Sequence, residues 1–330
     1  MAGAAVEVVK AGLETTIQDY PGRIGVIRSG YPVSGPMDGW SFRLANRLVG
    51  NDPTAAGLEC QFIGPTLLFH DDRTVALCGA QMRATLDGAP MEMWASTCVR
   101  AGQIVALGSA LRGARSYLAV SGGIDVPAFL GSRATYVLGQ VGGIEGAPLK
   151  EGQCLPLGRG VKRAGQRRVA NQVRPVFPSD RVWSIEVVPG PNDDWIDDDA
   201  QARFFASGWT VSTRSNRVGV RLDGPEWSFA RRAYDKSAEN GSHPSNVIEH
   251  GYGLGSINLC GQTPIVLGPD GLTLGGFICP YTVPTGSLWK VGQARPGDVF
   301  RFLSVTVEAA QAARDALDAL CFASDTIEEL

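Results

Sequence analysis

Apolar residues recur along the chain in short runs, each closed by glycine, proline, aspartate or asparagine. TLLF, TVALCGA, ATLDGAPM, QIVALG, RSYLAVSGGI, WSIEVVPG, GVRLDG, TPIVLG and DVFRFLSVTV are examples. Runs of about four to eight residues bounded by turn formers are the pattern of strands packed into sandwiches or barrels. The 42 glycines and 20 prolines supply the turns. A mainly β protein with a few helices is expected. Two stretches break the pattern. In SGPMDGWSFRLANRLVGN, Trp40, Leu44 and Leu48 recur at i, i+4, i+8, Ser34 or Asp38 is the cap, and Gly50 is the stop. In TVEAAQAARDALDALCF, alanine and leucine dominate and Thr306 stands at the cap, which predicts a C-terminal helix closing the second half.

A chain of 330 residues suggests about two domains. RGVKRAGQRRVANQVRPVFPSD is basic, polar and without periodicity. It is read as a linker over 159–180, between an N-terminal β-rich domain over 1–158 and a C-terminal β-rich domain over 181–330. Its arginines have no interleaved aromatics, and 30 basic against 33 acidic residues leave a net charge of −3. Neither nucleic acid nor a membrane surface is therefore an expected partner. No apolar run reaches the roughly eighteen residues of a spanning helix. MAGAAVEVVKAG lacks a basic region followed by an apolar one, so no signal peptide is expected and a cytoplasmic location is. Seven cysteines (60, 78, 98, 154, 260, 279 and 321) are scattered without a CxxC pair. They are read as reduced, buried thiols rather than a disulfide framework.

The chemistry concentrates in GSHPSNVIEHGYGLGSIN, residues 241–258, which holds two of the three histidines. His243 and His250 are seven apart, and Pro244 and the glycines oppose the helix that would bring a histidine pair onto one metal, so no metal is expected. A serine hydrolase would want a G-x-S-x-G elbow, which is absent, and GYGLGS lacks the strand–turn–helix context of a nucleotide loop. Two readings remain from the residues: a polar binding loop offering backbone N–H, Ser, His and Asn groups, or an ordinary glycine-rich connection.

Several stretches, taken together and in order, resemble one family. TTIQDYPGRIGVIRSGYPVSGPMDGWSFRLANRLVGNDPTAAGLE, GPTLLF, ALCGAQMRATLDGAPM, YLAVSGGIDVPAFLGSRAT, GGIEGAPL and SNRVGVRLDGP are similar to the allophanate hydrolase subunit 2 family, from about residue 12 to about residue 305. That family includes the carboxyltransferase region of biotin-dependent urea carboxylase and one of the subunits of bacterial 5-oxoprolinase. GSHPSNV followed by GSINLCGQTPIVLGPDGLTLGGFICPYTV resembles the urea carboxylase branch. The resemblance implies two linked β-barrel-like domains related to the cyclophilin-like fold. It also implies transfer of a carboxyl group from carboxybiotin, on a separate carrier domain, to urea. The partners implied are a biotin carboxylase, the biotin carrier and a chain or domain like allophanate hydrolase subunit 1, which contributes the other half of the site.

Under that resemblance Asn246 is the first choice for a urea contact, because a carboxamide donates and accepts at once. His243 and Ser245 support it. In the PVSGPMD loop, Ser34, Gly35 and Asp38 match a family signature, with a helix cap as the alternative role. Backbone N–H groups at Gly275, Gly276 and the loop around Asp270 are candidates to face the biotin ureido oxygen, where charge develops. Gln18 and Asp19 also match, with a buried turn pair as the alternative; His250 and Glu249 are taken as structural. Rival expectations are 5-oxoproline ring opening, guanidine as acceptor, and a non-catalytic regulator of a kinase.

Overall fold

The computed structural model describes residues 5–160 and 165–329, so residues 161–164 of the basic stretch lie outside the described residues. Strands follow in chain order as β1 (Ala5–Lys10), β2 (Glu14–Gln18), β3 (Gly57–Gln61), β4 (Thr66–Phe69), β5 (Arg73–Leu86), β6 (Ala89–Pro90), β7 (Ser96–Val99), β8 (Ile104–Val120), β9 (Cys154–Pro156), β10 (Arg167–Val169), β11 (Val182–Pro189), β12 (Trp209–Val211), β13 (Gly219–Asp223), β14 (Asn246–Gly251), β15 (Ser256–Cys260), β16 (Thr263–Leu267), β17 (Leu274–Phe277), β18 (Tyr281–Thr282), β19 (Val299–Ser304) and β20 (Ile327–Glu329). The helices are α1 (Gly39–Leu48), α2 (Asp198–Ala206), α3 (Leu288–Gln293) and α4 (Val307–Phe322). Two compact units result, one of residues 1–24, 34–177 and 318–330 and one of residues 25–33 and 178–317.

In the first unit a nine-stranded sheet curls into an open half-barrel, so only one of the two barrel-like bodies closes. Its spine is the antiparallel pair β5 and β8, strands of 14 and 17 residues that join runs separated in the apolar pattern. Both faces of this pair are covered where Arg73–Ala80 of β5 meets the end of β8, while beyond it Gln81 and Arg83 turn out to solvent. Val75 and Leu77 point into the half-barrel core with Leu58, Phe69 and Leu118, while Ala76, Cys78, Tyr117 and Ala119 pack under α1. That double burial turns the expected in–out alternation into a continuous apolar run. Small residues dominate the helix side, which lets Phe42, Leu44 and Leu48 of α1 settle onto the sheet. Burying each such side chain stabilises the unit by about 1.5–3 kcal/mol. At Gly79, φ is +101°, and a Cβ there would lie 2.6 Å from the Arg115 carbonyl oxygen, so the two long strands approach and shift register at a position closed to other residues.

The helix cap falls on Asp38, whose Oδ1 accepts the Ser41 N–H at 2.9 Å and Oδ2 the Ser41 hydroxyl at 2.6 Å. Gly50, at φ +76°, ends the turn beyond. Within 159–180, β10 pairs with β20, and Val169, Ala170 and Val173 are buried against the α1 cluster.

The second unit is a closed seven-stranded barrel in the order β11-β18-β15-β16-β13-β12-β19, sealed by the parallel pairing of β19 with β11. Phe204 of α2 stacks on Tyr281 and Phe302 at 4.5 and 4.4 Å between centroids, with Trp209 and Trp227 around it. The α2 helix is too short for its apolar spacing to stand out, although Asp197 caps it through the Ala200 N–H at 2.8 Å and two further aspartates follow. In α4, Thr306 Oγ1 accepts the Ala309 N–H at 3.2 Å, as its cap position predicts. Residues 307–317 of that helix belong to the second unit and 318–322 to the first. Outside the barrel, β14 and β17 form a separate two-stranded antiparallel ribbon.

Candidate functional site

The ribbon brings together two candidate segments that are distant in sequence. Asn246 opens β14 opposite Phe277, and His250 stands opposite Gly275. Just before β14, His243–Asn246 is a turn closed by the Asn246 N–H donating to the His243 carbonyl at 2.9 Å. Pro244 restricts its backbone. Ser245 locks it from inside. Its N–H donates to His243 Nδ1 at 3.1 Å, so Nδ1 is an acceptor and the neutral ring carries its hydrogen on Nε2. Its hydroxyl, 2.8 Å from the same nitrogen, donates there and accepts the Gly261 N–H at 3.1 Å. Ser245 is fully buried, and its carbonyl accepts the Ile278 N–H at 2.8 Å.

A second anchor comes from Lys236, a residue that nothing but its charge distinguishes in the sequence. Its ammonium donates to the Asn246 carbonyl at 2.7 Å and also to the His243 carbonyl. Burial lowers its pKa below the ordinary lysine range. Asn240 Oδ1 accepts the Ile248 N–H at 2.8 Å, and a Cβ on Gly241 would lie 2.8 Å from Asn246 Nδ2. Thus Lys236, Asn240 and Gly241 hold one side of the turn and Ser245 the other. Among the described residues the Asn246 carboxamide itself makes no hydrogen bond within the chain, and neither does His243 Nε2, whose ring meets the edge of Phe229. The arrangement leaves one amide donor, one amide acceptor and one imidazole N–H for a ligand.

Of the other candidates, His250 and Asp270 have partners already. Gly275 lies under the Tyr252 ring, where a Cβ would come within 2.6 Å of Cε2. That space lets the Tyr252 hydroxyl donate to the Phe277 carbonyl and accept the Phe277 N–H, both at 2.7 Å. Burial pushes the Tyr252 phenol up. Gly276 passes close to the Val247 carbonyl, 3.2 Å from where its Cβ would be. His250 is structural in the same ribbon, with ring nitrogens 3.1 Å from the Gly251 and 3.2 Å from the Phe277 carbonyl oxygens. Asp270 is buried in a two-pronged pair with Arg217 (2.8 and 3.2 Å), and its N–H donates to the Arg217 carbonyl.

Ser34, Gly35 and Asp38 belong to the first unit. Asp38 is the α1 cap, its N–H donates to the Tyr117 hydroxyl at 2.8 Å, and that hydroxyl donates to Glu59 at 2.9 Å. Gly35, at φ +80°, would place a Cβ 2.9 Å from the Pro21 carbonyl oxygen. Ser34 differs: it is buried, takes φ +55°, and its hydroxyl has no partner among the described residues. Gln18, buried at the end of β2, donates to Thr16 and Thr135, and the half-buried Asp19 accepts from Ser132 and Arg133.

No cluster of metal-ligating side chains occurs among the described residues, and no helix there is long and apolar enough to cross a membrane. None of the seven cysteines, all among the described residues, takes part in a disulfide. Four are buried, but Cys98 and Cys154 are exposed, against the expectation of buried cysteines, because they sit at solvent-facing positions of strands that bury Val99 and Leu155. Burial pushes the buried thiols up, Cys321 to about 11, so they are poor nucleophiles.

Comparison with known proteins agrees with this architecture. Urea amidolyase of Lachancea kluyveri is 41% identical over 98% of this chain, which spans only 18% of that protein. The crystal structure of Kluyveromyces lactis urea carboxylase matches with a TM-score of 0.92 at 36% identity, over 99% of this chain and 30% of that one. A 5-oxoprolinase subunit of Escherichia coli is 34% identical, with 94% of each chain covered. The family model described as carboxyltransferase domain, subdomain A and B, matches residues 29–304, and the chain belongs to that family.

Proposed function

We propose that this chain is one part of a biotin-dependent carboxyltransferase that places a carboxyl group on a urea nitrogen. The observation that carries it is the unengaged Asn246 carboxamide on a turn anchored from both sides. Urea is planar, with one acceptor oxygen and four N–H donors. A fixed carboxamide can donate Nδ2–H to the urea oxygen and accept a urea N–H on Oδ1, holding the nitrogen in line. The His243 Nε2–H is a further donor, with Ser245 fixing the ring rather than touching substrate. Relatives named urea amidolyase and urea carboxylase support the choice of acceptor.

Biotin on a separate carrier domain supplies the activated carboxyl group. Backbone N–H groups at Gly275 and Gly276 remain the candidates to face its ureido oxygen. The Asp38 and Asp270 carboxylates are already paired, with Ser41 and Arg217, whereas the Ser34 hydroxyl has no partner among the described residues. The remaining contacts fall to a subunit-1-like half, and the partners we propose are that half, a biotin carboxylase and the carrier. Seven cysteines without a disulfide suit a reducing, cytoplasmic location.

A second reading has its own support. The E. coli 5-oxoprolinase subunit is 34% identical, with 94% of each chain covered. The test is reconstitution of this chain with the subunit-1-like half, biotin carboxylase, biotinylated carrier, ATP and bicarbonate. ATP turnover should depend on urea and on this chain. Turnover with 5-oxoproline but not urea would transfer the assignment, and turnover with guanidine alone would change the acceptor.

A further inference from the structure

We propose that Lys236 is a positioning residue for the carboxyl-transfer reaction, acting on the acceptor through Asn246. The inference rests on the reading of Asn246 as the acceptor contact.

The ammonium donates to the carbonyls of both the first and last residues of the His243–Asn246 turn. Two carbonyl oxygens converging on one point repel each other unless a cation sits between them. Without the cation the turn would relax where Asn246 begins β14, and the carboxamide would move with it. The neighbouring cations behave differently. Arg231 pairs with Asp235 at 2.8 Å and Arg232 pairs with Asp194, whereas among the described residues Lys236 pairs with no carboxylate, and its ammonium lies 5.8 Å from the centre of the Trp195 ring. A lysine serving solubility would extend into water, and one serving charge balance would take the adjacent Asp235. Lys236 instead folds back, half-buried, onto the backbone of the residue with the free carboxamide. The turn is already tied to the barrel side through Ser245, Gly261 and Ile278. The second tie therefore adds precision at Asn246 more than it adds stability.

The test uses the fully reconstituted enzyme with Lys236→Met, Lys236→Arg, Asn246→Ala and the Lys236→Met/Asn246→Ala double variant. Lys236→Met should lower kcat/KM for urea by about tenfold or more, while urea-independent biotin carboxylation stays unchanged. Arginine can donate to both carbonyls, so Lys236→Arg should keep at least about a third of the activity. The double variant should be within about twofold of Asn246→Ala alone, because both changes remove one function. Full activity in Lys236→Met with Asn246→Ala impaired would sink the role of Lys236 and leave Asn246 standing. Full activity in Asn246→Ala would sink the acceptor reading and Lys236 with it, and multiplying losses in the double variant would show that Lys236 acts elsewhere. If Lys236→Met fails to fold, a folded Lys236→Arg below about a tenth of wild type still overturns the proposal.

Discussion

Asn246 shows how a single side chain can be inert for the fold and decisive for chemistry. Its backbone is gripped by Lys236 and by the turn, while its carboxamide makes no hydrogen bond to the described residues of the chain. Replacing it with alanine removes nothing that the barrel uses. Asn246→Ala should lower kcat/KM for urea by about one to two decades, the effect of losing a hydrogen bond in a desolvated site. Its melting temperature should stay within about a degree of wild type. Asn246→Asp should be impaired as well, since it deletes the donor and adds a negative charge where a carboxylate arrives. Steady-state kinetics with urea varied, beside a thermal melt, check both. Of the residues marked in the sequence, Asn246 and His243 keep polar groups for a ligand, whereas Ser245, Asp38 and Asp270 are engaged. Residue type predicts what a side chain can do, but its hydrogen-bond partners depend on which distant segments fold against it.

At the scale of elements, the β14–β17 ribbon is a sheet separate from the barrel ladder, tied to it beside β14 through Ser245. Gly275 is pivotal there. Gly275→Ala would push against the Tyr252 ring and loosen the two hydrogen bonds between its hydroxyl and Phe277. Amides of β14 and β17 should exchange faster while those of β15 and β16 keep their protection, which hydrogen exchange reads directly. Equal loss of protection in both would show that ribbon and barrel are one cooperative element. The α3 helix offers a contrasting, electrostatic joint. Lys290 holds Glu186 of β11 at 2.7 and 2.8 Å, and Ser287 donates to the same carboxylate at 2.6 Å. Burial alone would push the Glu186 pKa up, but these partners outweigh it and the carboxyl lies below its ordinary 4.5. A depressed folded-state pKa favours the ionised form on folding. This contribution is therefore present at neutral pH and is lost as pH falls below about 4.5 through the folded value. Glu186→Gln should be less stable than wild type at neutral pH, and the difference should shrink on acidification, as thermal melts across that window measure.

For the whole molecule, one barrel closes and the other sheet stays open, and the thiols are distributed accordingly. Cys60, Cys78, Cys279 and Cys321 are buried in cores, Cys260 is intermediate, and Cys98 and Cys154 face solvent. A thiol reagent should modify Cys98 and Cys154 promptly, Cys260 more slowly, and the remaining four only on unfolding. Prompt modification of a buried cysteine would mean that the core opens more readily than its packing implies.

The sequence by itself determined the local elements and the family. The strand runs, the α1 helix with its stop at Gly50 and a cap at Ser34 or Asp38, and the α4 helix with Thr306 before it follow from short-range sterics, capping and periodicity, which need no knowledge of distant chain; the structure chose Asp38. Even the short α2 helix, which the periodicity does not reveal, carries its aspartate signal. The ordered motifs likewise sufficed for family membership. Tertiary structure alone decided the rest: that β5 and β8 run on as long strands and are covered on both faces over part of their length, that β14 pairs with β17, that Asp270 is paired with Arg217, that Tyr252 fills the space beside Gly275, and that Lys236 grips the Asn246 turn. The physical reason is common to all of these. Local backbone preference is set by neighbours in sequence, but the burial of a face and the partner of a charge or hydrogen-bonding group are set by the path of the folded chain.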